Sequence, residues 1–553
     1  MRKDPVIKEI YALAVPTSRL RRSAGVKIYL VGGVLRNLLI GEAPGADYDL
    51  CVEGGADRLK GGTVREVSRR LAEALGGSFF LLDEESSTWR IAVKGDIQRT
   101  VDIAPVRGSG ITADLKERDF TVNATALDIR DVFENERPSL VDPCEGIEDA
   151  KKRILRPVSA MVFDEDPLRM LRAVRLSQQY AFKVEKSTRA WIKEKARLIK
   201  KSAMERIRDE MTLMFAHPGT AESMKTLFTL GLLGTIIPEL KYWQSGEDGW
   251  QSGEAGWQAA SYDIASHSLK TLKEADYLAS GRQGRLAGRR GRSVGRAEKL
   301  NGGLKGFFDF EGGMGRQAER TVTFKLAAFF HDIGKPLTMK AEGEDRQGRL
   351  VGRRGRSVGR QGRLSGLSFM GHDVEGEILV KKILRRLKFS RRVIRAVAAI
   401  VRNHHRIFTL ASLSEPSGRT RAHFFNAAGK AGWQAGGETG LFLLMLGLAD
   451  ARATRGSEDR RLLSVVKEML EFYFNVYARG GAESILGGGE IMDTFNVAEG
   501  PVVGRIMREL CSAFEEGTVR GKKDAVRHIR KWLKVSESEE RGKKTVDFCP
   551  RRY

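Results

Sequence analysis

KIYLVGGVLRNLLIGEAPGADYDLCVEG, residues 27–54, decides how the first part of this chain folds. The apolar segment IYLV reads as a strand running into Gly32-Gly33, and VLRNLLIG follows with helical character. Asp47 and Asp49 then stand at i and i+2, a spacing that puts both side chains on one face of a β-strand. Two convergent carboxylates suit Mg²⁺, which takes hard oxygen ligands and keeps positions for water and substrate phosphates. Glycines at the preceding turn let backbone N–H groups approach a triphosphate with no Cβ in the way. A lone DxD or GG means little, and it is their order within one short unit that points to nucleotidyl transfer.

Outward from this unit, strand and helix signals alternate. VREVSRRLAEAL at 64–75 is amphipathic at helical spacing, while SFFLLD, TWRIAVKG and TVDIAPV read as strands. From about 140 onward helical patterns dominate. The reading is α/β followed by all-α. Residues 1–135 form the head and 136–242 a helical neck. Residues 261–456 form a further helical domain with Gly/Arg-rich insertions at 281–316 and 341–366, and 457–553 a helical tail.

With 553 residues the chain has length for three or four domains. Its hydrophobic content, 41%, is ordinary, and its longest apolar run, LFLLMLGLA at 441–449, fits a buried helix and is too short to span a bilayer. MRKDPVIKEI at the N-terminus lacks a signal-peptide core, and the cysteines at 51, 144, 511 and 549 form no CxxC pair. The expectation is a reduced, cytoplasmic protein without a membrane anchor. Oligomeric state is not legible.

The formal charge of +24 suggests a polyanionic partner, but repeats inflate it. RQGRLAGRRGRSVGR at 282–296 recurs as RQGRLVGRRGRSVGR at 346–360, differing at one position of fifteen. WQSGEDG-WQSGEAG-WQ at 243–258 is echoed by AGWQAGGE at 431–438. Such tracts cannot bury a core and read as disordered loops, either inert insertions or RNA-gripping segments.

DEDPLRMLRAVRLSQQYAF at 164–182 starts like a helix with Pro167 in its first turn, so Asp166 and Arg169, at i and i+3, share a face. Asp accepts hydrogen bonds and Arg donates them, which matches the donor–acceptor edge of cytosine or adenine and rejects guanine and uracil. A surface ion pair has the same spacing.

GGVLRN, DYDL, RDFTVNATA at 118–126, VDPCEGIEDAKKRILRPV at 141–158 and EDPLRMLRAVRL at 165–176 follow one another in this order. The set resembles class II tRNA nucleotidyltransferases and the similar bacterial poly(A) polymerases. The resemblance implies a polymerase-β-like nucleotidyltransferase head on an elongated helical neck, with the tRNA 3′ end, CTP and ATP as partners. It further implies roles for Asp47 and Asp49 (catalysis, metal), Gly32, Gly33 and Arg36 (triphosphate), Arg118 and Asp119 (ribose), and Asp166 and Arg169 (base). The implied reaction is template-independent addition of CMP, AMP or both to an RNA 3′ end, with Mg²⁺ as cofactor. A poly(A) polymerase and an RNA-binding cyclic-phosphate or nucleotide hydrolase are the alternatives.

Three departures stand out. Asn37 occupies a position that is usually Asp, and Glu117 precedes Arg118 where a second Arg is usual. The segment between VDIAPVRG and ADLKERD is short where many CCA-adding members carry a longer loop. A short loop suits a CC-adding specialist and also occurs in relatives of other specificity.

Six of the eight histidines lie between 267 and 423. His331-Asp332 ends the apolar helix FKLAAFF; His267 precedes it, and His372, His404-His405 and Asp450 follow. Imidazole with carboxylate suits a metal phosphohydrolase centre. The pattern H…HD…H…H…D resembles an HD phosphohydrolase domain, which implies His267, His331, Asp332, His372, His404 and Asp450 as ligands of a second divalent metal (Mg²⁺, Mn²⁺ or Ni²⁺). A structural vestige is the other reading. The tail resembles the C-terminal region of HD-containing members, which helps hold tRNA. Its basic run, Lys522, Lys523, Arg527, Arg530 and Lys531, fits phosphate contacts or a solvated helix face.

Overall fold

The computed structural model describes residues 1–14, 26–54, 62–93, 99–243, 264–280, 314–338, 340–341, 367–429, 438–456, 459–475, 477, 486–515, 518–519 and 521–546. The Gly/Arg tracts at 282–296 and 346–360 lie outside these residues, as do the repeats at 244–258 and 431–437. The chain divides into two compact units, Met1–Glu210 with Thr226–Ile236, and Met211–Lys225 with Ile237–Tyr553.

The first unit is built on strands β1 (Lys27–Val31), β2 (Asp47–Glu53), β3 (Ser78–Asp83), β4 (Thr88–Val93), β5 (Arg99–Pro105), β6 (Ala126–Asp128) and β7 (Leu140–Val141). They form one sheet in the order β3-β4-β5-β2-β1-β6-β7. Only β2 and β5 run parallel. Period-2 alternation divides β2: Tyr48, Leu50 and Val52 enter the core, whereas Asp47, Asp49 and Cys51 take the other face. The core face joins Ile28, Leu30, Ile91, Val101 and Ile103 to Val6, Ile7 and Ile10 of helix Pro5–Ala14 and to Val64 and Leu71 of helix Gly62–Ala74. On the opposite face Tyr29, Val31 and Cys51 pack under Ile111, Leu115 and Ala124. Helices then dominate to Glu210, as expected.

Among its described residues the second unit is helical apart from the two-stranded pair Lys340–Ala341 and Leu367–Ser368. Helix Glu438–Arg455 carries the run 441–449 wholly buried. It packs with helices Ile264–Ala279, Met314–Phe330 and Arg391–Asn403. Lys325, fully buried, donates to the His217 carbonyl (2.7 Å) and pairs with Asp276 (2.8 Å), so its charge is compensated within the core. Near the end of the chain, helices Gly488–Phe495, Pro501–Glu515 and Lys522–Val546 share a separate small core that includes Ile491, Ile506, Leu510 and Ile529. Lys523, Arg527, Arg530 and Lys531 are exposed there, while Lys522 pairs with Glu490 at 2.6 Å. No helix among the described residues is long and apolar enough to cross a membrane.

Candidate active site and candidate metal centre

Asp47 and Asp49 project from the same face of β2. Asp47 is exposed and accepts from Thr100 Oγ1 at 2.6 Å. Burial pushes the Asp49 carboxyl above its usual range, against the pull of Arg118. Gly32 sits directly behind Asp49. Its φ of +72° suits only glycine, and a Cβ there would lie 2.8 Å from Asp49 Oδ2 and 3.5 Å from Arg118 Nη1. Gly33 opens helix Gly33–Leu39.

A cavity of about 340 Å³ lies in front of Asp49, lined among others by Asp102, Arg118, Asp119, Asp166, Arg169, Arg172 and Arg206. Carboxylates and guanidinium groups both line it, which suits a metal-bound polyphosphate with a polar base. Arg118 is held by Asp114 at 3.1 Å. Asp119 accepts from the Phe120 N–H (2.8 Å) and Asn123 Nδ2 (3.0 Å) and pairs with Arg172 (2.7 Å). Burial alone would raise its pKa, but Arg172 and these hydrogen bonds hold it below the ordinary carboxylate range.

Two expectations are corrected by geometry. Arg36 is not at the cavity. It is 5% exposed, donates to Asn123 Oδ1 (2.8 Å) and to Asn37 Oδ1 (2.9 Å), and stacks over the Tyr180 ring at 4.0 Å. Short helix Gly33–Leu39 buries Val34 through Asn37, so Arg36 supports Asn123, which in turn holds Asp119, and stands outside the lining of the cavity. Asp166 and Arg169 do not share one helix face. Helix Val162–Glu165 ends before Pro167, Asp166 is extended (φ −138°), and a new helix, Arg169–Gln179, begins after it. Proline disfavours helical backbone in the residue before it. Both side chains still line the cavity, but each has another partner: Asp166 pairs with Arg206 at 2.7 Å and Arg169 with Glu165 at 3.0 Å.

Sequence reasoning missed three residues here. Asp102 on β5 stands in register with Asp49 and is held by Arg90 through two bonds of 2.7 Å. Arg172 follows Arg169 at i+3, a spacing that was readable. Arg206, on helix Met204–Ala216, had no local signal.

In the second unit, His267, His331, Asp332, His372, His404 and Asp450 converge. His267 Nε2 lies 3.1 Å from His331 Nε2 and 3.0 Å from Asp450, and these three form one group of candidate ligands. His372, His404 and His405 form another, with His405 and His372 Nε2 atoms 2.9 Å apart. Asp332 stands between them. Its Oδ2 is 3.5 and 3.2 Å from His267 and His331, and its Oδ1 is 3.6 Å from both His372 and His404. Lys335 also reaches Oδ2, at 2.6 Å.

The donor chemistry fits metal. His331, His372 and His404 each place Nδ1 within 2.9 Å of the backbone carbonyl three residues before it. That hydrogen bond puts the proton on Nδ1 and leaves the Nε2 lone pair facing the centre. Gly334 brings the HD turn against helix His372–Arg386, where a Cβ would lie 2.0 Å from the His372 carbonyl oxygen. His405 stands outside the six ligands that the HD resemblance implies and yet joins the second group; burial, then His404 and His372, push its pKa down to about 3.

A model described as the poly A polymerase head domain matches residues 28–156. One described as "Probable RNA and SrmB-binding site of polymerase A" matches 181–244, and the HD domain model matches 295–445. The A-adding tRNA nucleotidyltransferase of Deinococcus radiodurans is 29% identical over 91% of this chain and 95% of its own length. The CC-adding tRNA nucleotidyltransferase of Thermus thermophilus is 27% identical over 93% and 95%. A solved CCA-adding enzyme in complex with ATP superposes with a TM-score of 0.56 at 16% identity, covering 96% of each chain, which is a likeness of fold. Head, RNA-binding segment and HD domain in this order, with relatives matched almost end to end, show that the chain belongs to the family of class II tRNA nucleotidyltransferases and bacterial poly(A) polymerases, among its HD-containing members.

Proposed function

We propose that this protein adds CMP, AMP or both to the 3′ end of tRNA, taking them from CTP and ATP without a nucleic-acid template. The observation that carries the reading is one cavity holding Asp49, Asp119, Asp166 and Arg169 beside the Gly32 turn. The relatives named above are A-adding and CC-adding tRNA nucleotidyltransferases, which supports tRNA as the acceptor.

Asp47 and Asp49 would hold Mg²⁺, which would supply stabilisation of charge on the attacking and leaving oxygens. The RNA 3′-hydroxyl attacks the α-phosphorus in line, a 3′-O–P bond forms, and pyrophosphate leaves. Gly32 leaves room for the triphosphate, Arg118 and Asp119 hold the ribose, and Asp166 with Arg169 read the base edge. Arg206 must yield the Asp166 carboxylate as the base arrives, and Glu165 must likewise yield Arg169. Arg36 acts one step back, through Asn123 and Asp119.

At the HD centre His267, His331, Asp332, His372, His404 and Asp450 would hold a divalent ion, Mg²⁺, Mn²⁺ or Ni²⁺, with His405 completing the second histidine group. Phosphate-ester hydrolysis is its proposed chemistry. The division at 135, 242 and 456 and a cytoplasmic location belong to the same reading.

The test offers tRNA transcripts ending at the discriminator base, after one C and after CC, plus an unstructured RNA, with CTP and ATP separately and together. Growth that stops at CC or CCA, or a single A on the CC-ended tRNA, supports the reading and names the specificity. Long A-tails on every RNA would make the protein a poly(A) polymerase, and no addition to any RNA would refute transfer.

A further inference from the structure

KKILRRLKFSRRVIR at 381–395 carries eight cations and no carboxylate, outside the Gly/Arg repeats that inflate the net charge, and no acidic residue stands between Glu377 and Glu415. The run forms the corner of a helical hairpin. Helix His372–Arg386 ends at Leu387, Lys388 turns the chain at φ +59°, and Ser390 caps helix Arg391–Asn403, its side chain accepting from the Val393 N–H at 3.2 Å. The two helices pack against each other. Arg385 stands thirteen positions from His372, and Arg391 thirteen from His404, about 20 Å of helix in each case. The corner is therefore the end of the hairpin remote from the metal ligands. Ile383, Leu384, Leu387, Phe389, Val393 and Ile394, all the apolar side chains of the run, are buried. Lys382, Arg385, Lys388, Arg391, Arg392 and Arg395 are exposed.

This arrangement works against the stability of the free protein. Helix Arg391–Asn403 has no acidic residue in its first turn and places Arg391 and Arg392 there, where the helix dipole disfavours cations. Lys381 with Arg385, Lys382 with Arg386, and Arg391 with Arg395 are like charges at i and i+4, which repel along a helix face. Lys388 takes the left-handed position after a helix that glycine fills most easily. Compensation reaches part of the corner: Glu239 pairs with Arg386 at 2.6 Å and approaches Lys382 at 3.9 Å, and Glu319 lies 3.5 Å from Arg392. Among the described residues no carboxylate forms an ion pair with Arg385, Arg391 or Arg395. A surface that repels itself in this way is relieved by a polyanion.

The burial pattern selects which polyanion. A bilayer surface is held by cations together with apolar side chains inserted among the headgroups, and this run turns its apolar side chains into the core. A nucleic-acid backbone asks only for fixed cations opposite successive phosphates. Five of the eight cations are arginines, whose planar fork meets phosphate oxygens in pairs. We infer that the corner at 381–395 grips the phosphate backbone of the acceptor RNA. That the polyanion is RNA rests on the transferase reading of the head. The contact is independent of base sequence and takes no part in the chemistry of either centre.

The experiment measures binding of a fluorescent tRNA transcript to the full-length protein while salt is varied. The variant Arg385→Gln/Arg391→Gln/Arg395→Gln should raise Kd at least about tenfold at about 0.15 M salt and lower the slope of log Kd against log salt by about 2–3. The same three positions changed to Lys should recover most of the affinity. The KM for CTP should not move. The melting temperature of the Gln variant should stay level or rise, because Arg391 no longer opposes the helix dipole, whereas loss of a merely structural role would lower it. Lys3→Gln/Lys8→Gln/Arg137→Gln removes equal charge from exposed positions of the head and should change Kd less than about twofold. A Kd within about twofold of wild type for the corner variant would overturn the inference, and so would equal weakening by the head variant, since net charge alone would then be at work. Vesicles of phosphatidylserine and phosphatidylcholine that bind wild type but not the corner variant, with tRNA binding unmoved, would give the corner to a lipid surface and overturn it as well. A wild-type protein that adds nothing to any RNA, yet binds tRNA through these three arginines, would remove the transferase reading and leave the grip standing.

Discussion

Replacing Asp166 by alanine should collapse discrimination between CTP and UTP while leaving the protein folded. Asp166 is held by Arg206 at 2.7 Å, and the side chains of the pair are 27% and 55% exposed. An ion pair so open to solvent is worth at most about 1 kcal/mol. A hydrogen bond from the cytosine amine to an ionised carboxylate is worth about 1.5–3 kcal/mol. The base therefore wins the carboxylate from Arg206 with at least roughly 0.5–2 kcal/mol to spare. UTP presents an oxygen where CTP presents the amine, so it gains no such bond and meets carboxylate repulsion as well. The ratio of kcat/KM for CTP over UTP should fall about 30-fold in Asp166→Ala, equivalent to about 2 kcal/mol. The assay is single-nucleotide extension of one tRNA transcript with each triphosphate in turn. Arg206→Ala, which only frees the carboxylate, should change the ratio less than about threefold. An unchanged ratio in Asp166→Ala would refute base reading by this residue.

The two centres should separate cleanly. Asp49→Ala should abolish nucleotide addition and spare metal-dependent phosphate-ester hydrolysis, and Asp332→Ala should do the reverse, both followed on one preparation. Elemental analysis of wild-type protein should find about two tightly held divalent ions that Asp332→Ala loses, and chelation should lower the melting temperature of wild type but not of that variant. Gly32→Ala should cut addition about 100-fold, because its Cβ would stand 2.8 Å from Asp49 Oδ2 and must displace it; addition near the wild-type rate would argue against this geometry. Lys325→Ala leaves Asp276 buried without its cation and should cost about 3–5 kcal/mol in denaturant unfolding, with Lys325→Met costing clearly less if charge compensation is the reason.

The local patterns of this chain were legible as written. Alternation in DYDLCVE separates the carboxylates from the core, and every strand expected in the head forms. The all-apolar run at 441–449 is a buried helix because it has no polar face to offer water. The H…HD…H…H…D order likewise pointed to residues that do converge. What failed was local geometry at proline and the fate of an arginine. Pro167 breaks the helix that would have joined Asp166 to Arg169, and Arg36 turns inward onto Tyr180.

Periodicity along a chain reports which face a side chain takes, since the backbone repeat is a local property. That determined the Asp47–Asp49 face and the helical body, while the candidate ligands of the second centre were implied by the resemblance of the H…HD…H…H…D order to an HD domain. Pairing between distant segments has no such local record. Only the tertiary structure set Asp102 opposite Asp49 through the parallel pairing of β2 and β5, and brought Arg206 onto Asp166 from forty residues away. The Asp332 carboxylate came to lie between two histidine groups because five helices, each amphipathic or apolar on its own account, must bury their faces against one another.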